Sequence, residues 1–551
     1  VIRNLSRDHF FPRIRSLGVD LGLLLLSSLL FSLAFPNLLS ETGFWPLAFI
    51  ALVPAVPVMD RASWRAAPFY GLFYGFTSYA IFNYWLTTFH PLAILIVPVI
   101  YAFYYLLLFP LLKAVGHFFP THPYIARTVV WTGYEFLRTL GFLGYAYGIL
   151  GYTLYPAPVL IQISELFGVW GVTFLLAGFN FFLGSFCSHI LSLSDRSKKG
   201  LISWLKEKRL VALTLLLLLA ATVLFGILVQ RRDYSDQRQW KVALIQHNAD
   251  TWKGGLPTYR RNFEIMASLS DAALEKHNPD AVIWSETAFV PGVDWHTRFR
   301  TDQERYALVT DLRDYLAEKK VPFVLGNDDG QLADPGKPPI LPDGSYNRVD
   351  YNAVLHYESG ELKNTYRKTH LVPFTENFPY ENLFPRFYQL LVDNDYHFWE
   401  PGREYTVFET GDGVKFSTPI CFEDIFGYLS RRFVQEGAQL IVNLTNDSWA
   451  RSVPSQMQHM AMAVFRAVEL RRSVVRSSNS GMTCVINPDG VITGMLKPFV
   501  EDYYYGEVPI YTGRDTLYYR WGDWFAWLML FVGLFLLGIG AIRAMVSRKK
   551  D

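Results

Sequence analysis

Residues 210–247 read "LVALTLLLLLAATVLFGILVQRRDYSDQRQWKVALIQH", and the architecture turns on this stretch. Residues 210–229 carry no charge and are almost wholly apolar; about 20 such residues in a helix cross a hydrocarbon layer. Arg231 and Arg232 close the run and a short polar linker follows. Then "KVALIQH" (241–247) gathers β-branched and large apolar side chains, which reads as a buried strand. Within one stretch the chain passes from a lipid-phase pattern to a globular one.

Upstream, the lipid pattern repeats. Apolar stretches at 17–35, 43–59, 68–89, 92–113, 124–148 and 158–187 join 210–229, and 524–546 adds one more. The expectation is a bundle of eight transmembrane helices. Basic residues in short loops set its orientation. Arg61 and Arg65 follow the second span, and Lys113 and Arg127 flank the loop after the fourth. Arg196, Lys198, Lys199, Lys206, Lys208 and Arg209 lie between the sixth and seventh. Loops 36–43 and 150–158 carry no Lys or Arg. Both ends are therefore expected on the cytoplasmic side and the globular part across the membrane. Arg3, Arg7, Arg13 and Arg15 precede the first span as in a secretory leader; no small-residue cleavage pattern follows, so the span is expected to be retained. The division is 1–230 for a seven-helix bundle, 231–515 for the globular domain, and 516–551 for a last helix and short tail. Glu135 and Arg138 fall inside the fifth span, three residues apart, where they can pair on one helical face.

Composition narrows the function classes. With 51 basic and 49 acidic residues, the net charge of +2 offers no surplus for nucleic acid. Three cysteines, Cys187, Cys421 and Cys484, make no disulfide framework. The chain has no GxGxxG, GxxxxGK[ST] or HExxH, and its twelve histidines lack metal-ligand spacing. No metal and no dinucleotide cofactor are expected.

Downstream of 240, strand-like runs at 241–247, 281–286, 323–328, 352–358, 415–423, 439–447 and 482–488 alternate with helical spacing at 257–277, 303–320, 425–436 and 455–472. That alternation predicts an α/β fold with buried sheets. Three chemically active residues fall at its strand ends: Glu286 in "VIWSETA", Lys368 in "YRKTHLVPFTENFP" and Cys421 in "PICFEDIF". Singly, each has an ordinary reading, as a cap, a solvated charge and a core thiol. Together, a thiol, a carboxylate and an ammonium make a covalent acyl-transfer site: nucleophile, proton carrier and oxyanion stabiliser. A helix starting directly after Cys421 is expected to favour its thiolate.

These three motifs, in this chain order, resemble the nitrilase superfamily. With the apolar spans around them, and with "LTNDSWA" and "QHMAMAVFRAVELRRSVVRSSNSGMT" (458–483), the chain is similar to the apolipoprotein N-acyltransferase family. The resemblance implies an αββα sandwich in the periplasm of a bacterial inner membrane. It implies acyl transfer from a phospholipid, with phosphatidylethanolamine as donor, to the N-terminal diacylglyceryl-cysteine of an apolipoprotein. By motif, Cys421 is the nucleophile, Glu286 the general base and Lys368 the oxyanion cation. Glu376 matches an essential second glutamate and Glu423 a supporting acid, while Trp252, Asn352 and Trp449 match positions near the cleft. Thr375, Phe422 and Ala450-Arg451 depart from the family pattern. The aromatic-rich segment 376–400 is expected to act as a lipid-access lid beside the bilayer. Two other readings share these features: a membrane-tethered amidase using the same triad, and a transporter with a sensing domain.

Overall fold

The computed structural model describes residues 7–89, 93–141, 144–192, 198–378, 380–393 and 398–548. Arg3 and Arg196 of the charge pattern, and residues 394–397 of the aromatic segment, lie outside them. The chain forms two compact units, one of residues up to Arg231 together with Asp523 onward, the other Arg232–Gly522.

Among the described residues, five helices of the first unit are long and apolar enough to cross a membrane: Ser16–Ala34, Ile94–Phe118, Val169–Ser192, Arg209–Gln230 and Trp524–Val546. The other three expected spans differ, for local reasons. Stretch 43–59 holds Pro46, Pro54 and Pro57, which lack the N–H a helix needs, and folds as a 3₁₀ turn, Trp45–Phe49, and a short helix, Ala55–Arg61. Stretch 68–89 gives a helix of 16 residues, Ala67–Phe82, about 24 Å long. In 124–148 the helix Pro123–Leu137 stops short of Gly141 and Gly148, both at positive φ. Stretch 158–187 is split by Gly168 (φ 64°) into two short turns and the helix Val169–Ser192.

Non-helical backbone in an apolar unit survives only where side chains satisfy it. Asn180 does this for the proline-rich stretch: its amide donates to Ala48 O (2.7 Å) and its Oδ1 accepts from Leu52 N (2.7 Å). Ser27 Oγ donates to Ala51 O at 2.6 Å. Arg138 does the same after the Pro123–Leu137 helix, donating through Nη1 to Tyr145 O (2.9 Å) and Tyr147 O (3.0 Å). Its pairing with Glu135 is present at 3.8 Å. Gly71 and Gly75, one turn apart, let Ala67–Phe82 press onto Ala93–Phe118; a Cβ at Gly75 would sit 2.6 Å from Tyr101 O.

In the second unit twelve strands run in chain order: β1 (Gln239–Gln246), β2 (Ala281–Ile283), β3 (Phe323–Leu332), β4 (Arg348–Glu358), β5 (Glu361–Arg367), β6 (Val407–Glu409), β7 (Lys415–Ser417), β8 (Leu440–Thr445), β9 (Val474–Ser478), β10 (Cys484–Ile486), β11 (Ile492–Met495) and β12 (Asp502–Pro509). They form two six-stranded sheets, ordered β12-β1-β2-β3-β4-β5 and β11-β10-β9-β8-β7-β6. The sheets face each other through Trp240, Phe416 and His356; the Trp240 and Phe416 rings are 5.3 Å apart and Ser477 Oγ donates to Ile283 O at 3.1 Å. On the outer face of the first sheet, Ala243, Ile245, Val282, Trp284, Phe323 and Leu325 pack against helices Leu256–His277 and Gln303–Glu318. Helices Gly427–Gln435 and Val453–Leu470 accompany the second sheet, the latter buried along its length.

The parallel centres, β1-β2-β3 and β7-β8-β9, decide where chemistry can sit. Parallel strands point their C-terminal ends one way, and the loops leaving those ends gather side chains from distant parts of the sequence.

Candidate active site

Glu286 lies just beyond β2 and Lys368 follows β5 directly. The parallel pairing of Ile420 with Leu444 brings Cys421 up beside Thr445 at the end of β8. The structure brings the three sequence-selected residues together. Glu286 Oε1 accepts from Asn352 Nδ2 (2.8 Å) and faces Lys368 Nζ (3.5 Å), while Oε2 accepts from Asn446 N (2.8 Å). Lys368 Nζ donates to Glu376 Oε1 at 2.8 Å, and Glu376 Oε2 accepts from Val372 N at 2.8 Å. Asn352 Nδ2 also reaches Glu376 Oε1 at 3.3 Å. One amide and one ammonium thus hold two carboxylates.

All of these groups are buried or nearly so, and burial sets their acid–base character. Burial lifts the Glu286 carboxyl above the usual carboxylate range; Lys368 opposes the lift, Glu376 adds to it, and bonds from Asn352 and Cys421 oppose it. Burial works against the Lys368 ammonium, but Glu376, Glu286 and Cys421 outweigh it and hold the group charged. Burial pushes the Cys421 thiol well up, helped by Glu286 and opposed by Lys368. The Cys421 thiol therefore keeps its proton at rest, and Glu286, which accepts from Asn352 Nδ2 and Asn446 N, is the acidic group gathered with it.

That corrects one expectation. No α-helix begins at Cys421; residues Cys421–Ile425 form a 3₁₀ turn and the helix starts at Gly427. Strand β7 ends at Ser417, short of the expected 423. Cys421 itself sits at φ 48°, left-handed backbone that a non-glycine residue holds only when its surroundings enforce it. The surroundings are on hand: Asn443 Nδ2 donates to the carbonyls of Pro419 (3.0 Å) and Cys421 (3.2 Å).

Glu423 acts as a hub of the site. It accepts from Ile420 N (2.7 Å), Thr369 N (2.8 Å), His370 N (2.9 Å), Thr369 Oγ1 (2.9 Å) and Tyr366 Oη (2.8 Å). One carboxyl thereby ties the Lys368 loop to the Cys421 turn. Phe422 is buried in an aromatic cluster with Phe426 (5.2 Å) and His370 (6.0 Å). Trp252 and Trp449 meet edge to face at 5.1 Å, half-exposed, on loops joined by Thr251–Ser448 and Asp250–Arg451. Trp449 stands three residues beyond Asn446, so the tryptophan pair flanks the turn that anchors Glu286.

Sequence reading missed the layer beneath. Asp424, Asp447, His459 and Arg476 form a buried ionic cluster under the Cys421 turn. One signal for it was legible: charged residues embedded in the apolar run "QHMAMAVFRAVEL", where solvent-facing charge has no place.

The family model described as carbon-nitrogen hydrolase matches residues 241–517, which take in the two-sheet sandwich and hold Glu286, Lys368 and Cys421. A second family model, the apolipoprotein N-acyltransferase N-terminal domain, matches residues 27–182. Apolipoprotein N-acyltransferase 1 of Treponema denticola is 41% identical over 541 residues, covering 97% of this chain and 98% of its own. The like-named protein of Treponema pallidum is 41% identical, covering 96% of each chain, and that of Geobacter metallireducens 31% identical, covering 97% and 96%. The chain belongs to the apolipoprotein N-acyltransferase family. Among solved structures, a nitrilase-superfamily protein of Saccharomyces cerevisiae aligns with 50% of this chain and 92% of its own at 19% identity and a TM-score of 0.34.

Proposed function

We propose that the protein moves an acyl chain from a membrane phospholipid to the α-amino group of an apolipoprotein's N-terminal diacylglyceryl-cysteine, through a thioester on Cys421. The observation that carries this reading is the gathering of Cys421, partly buried beside the end of β8, with Glu286 and Lys368, whose carboxyl and ammonium lie 3.5 Å apart. Glu286 takes the thiol proton as sulfur attacks the ester carbonyl. Lys368 and backbone N–H groups of the Cys421 turn stabilise the oxyanion. The C–O bond breaks and Glu286 returns the proton to the departing lysophospholipid. In the second half Glu286 takes a proton from the attacking amine, the amide forms, the C–S bond breaks, and the proton goes back to sulfur. Because the thiol is protonated at rest, the carboxylate next to it is what makes the nucleophile.

In this reading phosphatidylethanolamine is the donor and the membrane is a bacterial inner membrane. Eight crossings, counting the shorter and broken helices, leave both termini cytoplasmic and residues 231–515 in the periplasm. Asn352 and Glu376 hold Lys368 and Glu286 in register, Glu423 holds the two loops together, and Trp252 and Trp449 border the way in. Leu383, Phe384 and Leu390 are exposed within segment 376–400, which supports its role as a lipid-access lid.

Reconstitution with phosphatidylethanolamine and a diacylated lipopeptide tests this. Intact-protein mass spectrometry before the lipopeptide is added should find one acyl chain on Cys421, and Cys421→Ala should yield neither thioester nor amide. N-acylation by Cys421→Ala at the wild-type rate would overturn the proposal.

A further inference from the structure

The cluster beneath the nucleophile has a bonding pattern that fixes its protonation. His459 Nε2 lies 2.9 Å from Asp424 Oδ1, and Nδ1 lies 2.8 Å from Asp447 Oδ1. Both aspartates also pair with the Arg476 guanidinium, Asp447 at 3.4 Å. A carboxylate held by a guanidinium only accepts, so both ring nitrogens of His459 must donate, and that is the imidazolium form. Two anions and two cations then balance in a place with almost no solvent: Asp424 and Arg476 are fully buried, and His459 and Asp447 nearly so. Burial works against the imidazolium and Arg476 adds to that, but Asp424 and Asp447 outweigh both and raise the His459 pKa to about 9.

The four residues come from four elements. Asp424 belongs to the Cys421–Ile425 turn and Asp447 to the turn Asp447–Ala450, whose preceding residue, Asn446, gives its N–H to Glu286. Arg476 comes from β9 and His459 from helix Val453–Leu470. On that helix Arg466 lies seven residues on, two turns along the same face, and donates to Ile425 O (2.8 Å). Thr445, which ends β8 beside Cys421, completes the link by donating through its hydroxyl to Asp447 Oδ1 at 3.1 Å.

We infer that His459 is a positioning residue of the reaction: as a doubly donating imidazolium bridging Asp424 and Asp447, it sets the spacing between the Cys421 turn and the turn that anchors Glu286. It touches no substrate and acts through both. A neutral side chain there leaves a buried net negative charge behind the thiol, and the two turns lose their common tie. This rests on the nucleophile–base reading of Cys421 and Glu286, so the test reads the site without acyl transfer.

Alkylation of Cys421 by iodoacetamide, measured against pH on the full-length protein in detergent with no lipid substrate, reports thiolate formation directly. His459→Gln should lower the rate at pH 7.5 by about tenfold or more, the penalty of a displaced reactive pair, and move the alkylation midpoint to higher pH. His459→Lys, which restores the positive charge and several donors, should recover most of the rate. A His459→Gln protein that melts lower but alkylates with the wild-type rate and midpoint would reduce His459 to a structural part and overturn the inference. Should His459→Gln fail to fold, His459→Lys decides: a folded Lys variant within about threefold of wild type supports the bridge, and a folded variant slowed a hundredfold refutes it. If alkylation behaves as expected but Cys421 carries no acyl group with phospholipid present, it is the acyl-transfer reading that fails.

Discussion

Glu423 shows what a single residue can hold. Three backbone N–H groups, from Thr369, His370 and Ile420, end on its carboxyl, and removing it leaves them buried and unpaired. Glu423→Ala should therefore cost about 3 kcal/mol or more in a denaturant melt, and Glu423→Gln, which keeps one acceptor oxygen but turns an NH2 toward a buried donor, should melt between Glu423→Ala and wild type and slow acyl-enzyme formation. His459 gives a second measurable consequence. Its proton is held to about 9 in the fold against about 6.5 in the unfolded chain. The folded state binds that proton more tightly, so its contribution to stability is complete below about pH 6.5 and drains away as pH rises through about 9. The melting temperature should fall between pH 7 and 9.5 in wild type and more shallowly in His459→Gln. At this scale the three residues that the fold gathers were legible, because the motifs that hold them resemble a family's motifs in the same chain order. Their support was not: Asn446 contributes a backbone N–H, which any residue carries, and the ionic cluster depends on residues up to 52 positions apart.

Among elements, the unread strands share a position. Strands β5, β6, β11 and β12 were not expected from the sequence, and all four are sheet edges. An edge strand has one side in solvent and keeps charges to deter pairing with other chains, so "ELKNTYR" and "DYYYGEVP" lack the apolar run that marks a buried strand. The remaining miss, β9, reads "VVRSS" because it delivers Arg476 and Ser477 to the interior. Central strands β1, β2, β3, β4, β7, β8 and β10 and the four helices were readable for the opposite reason. In the apolar unit, Gly71→Leu should separate Ala67–Phe82 from Ala93–Phe118 and lower the detergent melting temperature, since the glycine faces Tyr105 backbone with no room for a side chain. On segment 376–400, changing Leu383, Phe384 and Leu390 to serine should slow acylation from phospholipid vesicles and spare iodoacetamide alkylation of Cys421. Unchanged vesicle kinetics would remove its role as a lid.

At the scale of the molecule, the hydropathy pattern separated two units but overcounted continuous helices. It averages over prolines and glycines, and so reads 43–59 and 158–187 as single spans where the chain is broken and rescued by side-chain bonds such as those of Asn180. Single-cysteine labelling in intact cells tests the orientation: positions near residues 61 and 206 should react only after permeabilisation, and positions in the 330s from outside the inner membrane. Strands and the loops of the candidate site alike lie between two apolar helices, Arg209–Gln230 before them and Trp524–Val546 after, so the second unit is tied at both ends of its chain. An enzyme anchored this way, whose donor and acceptor also carry fatty chains, meets its substrates by lateral diffusion in two dimensions. Its rate should follow the mole fraction of each lipid in the film and ignore the volume of the tube. Diluting proteoliposomes tenfold in buffer should leave the turnover unchanged, whereas adding inert lipid to the same vesicles should slow it in proportion.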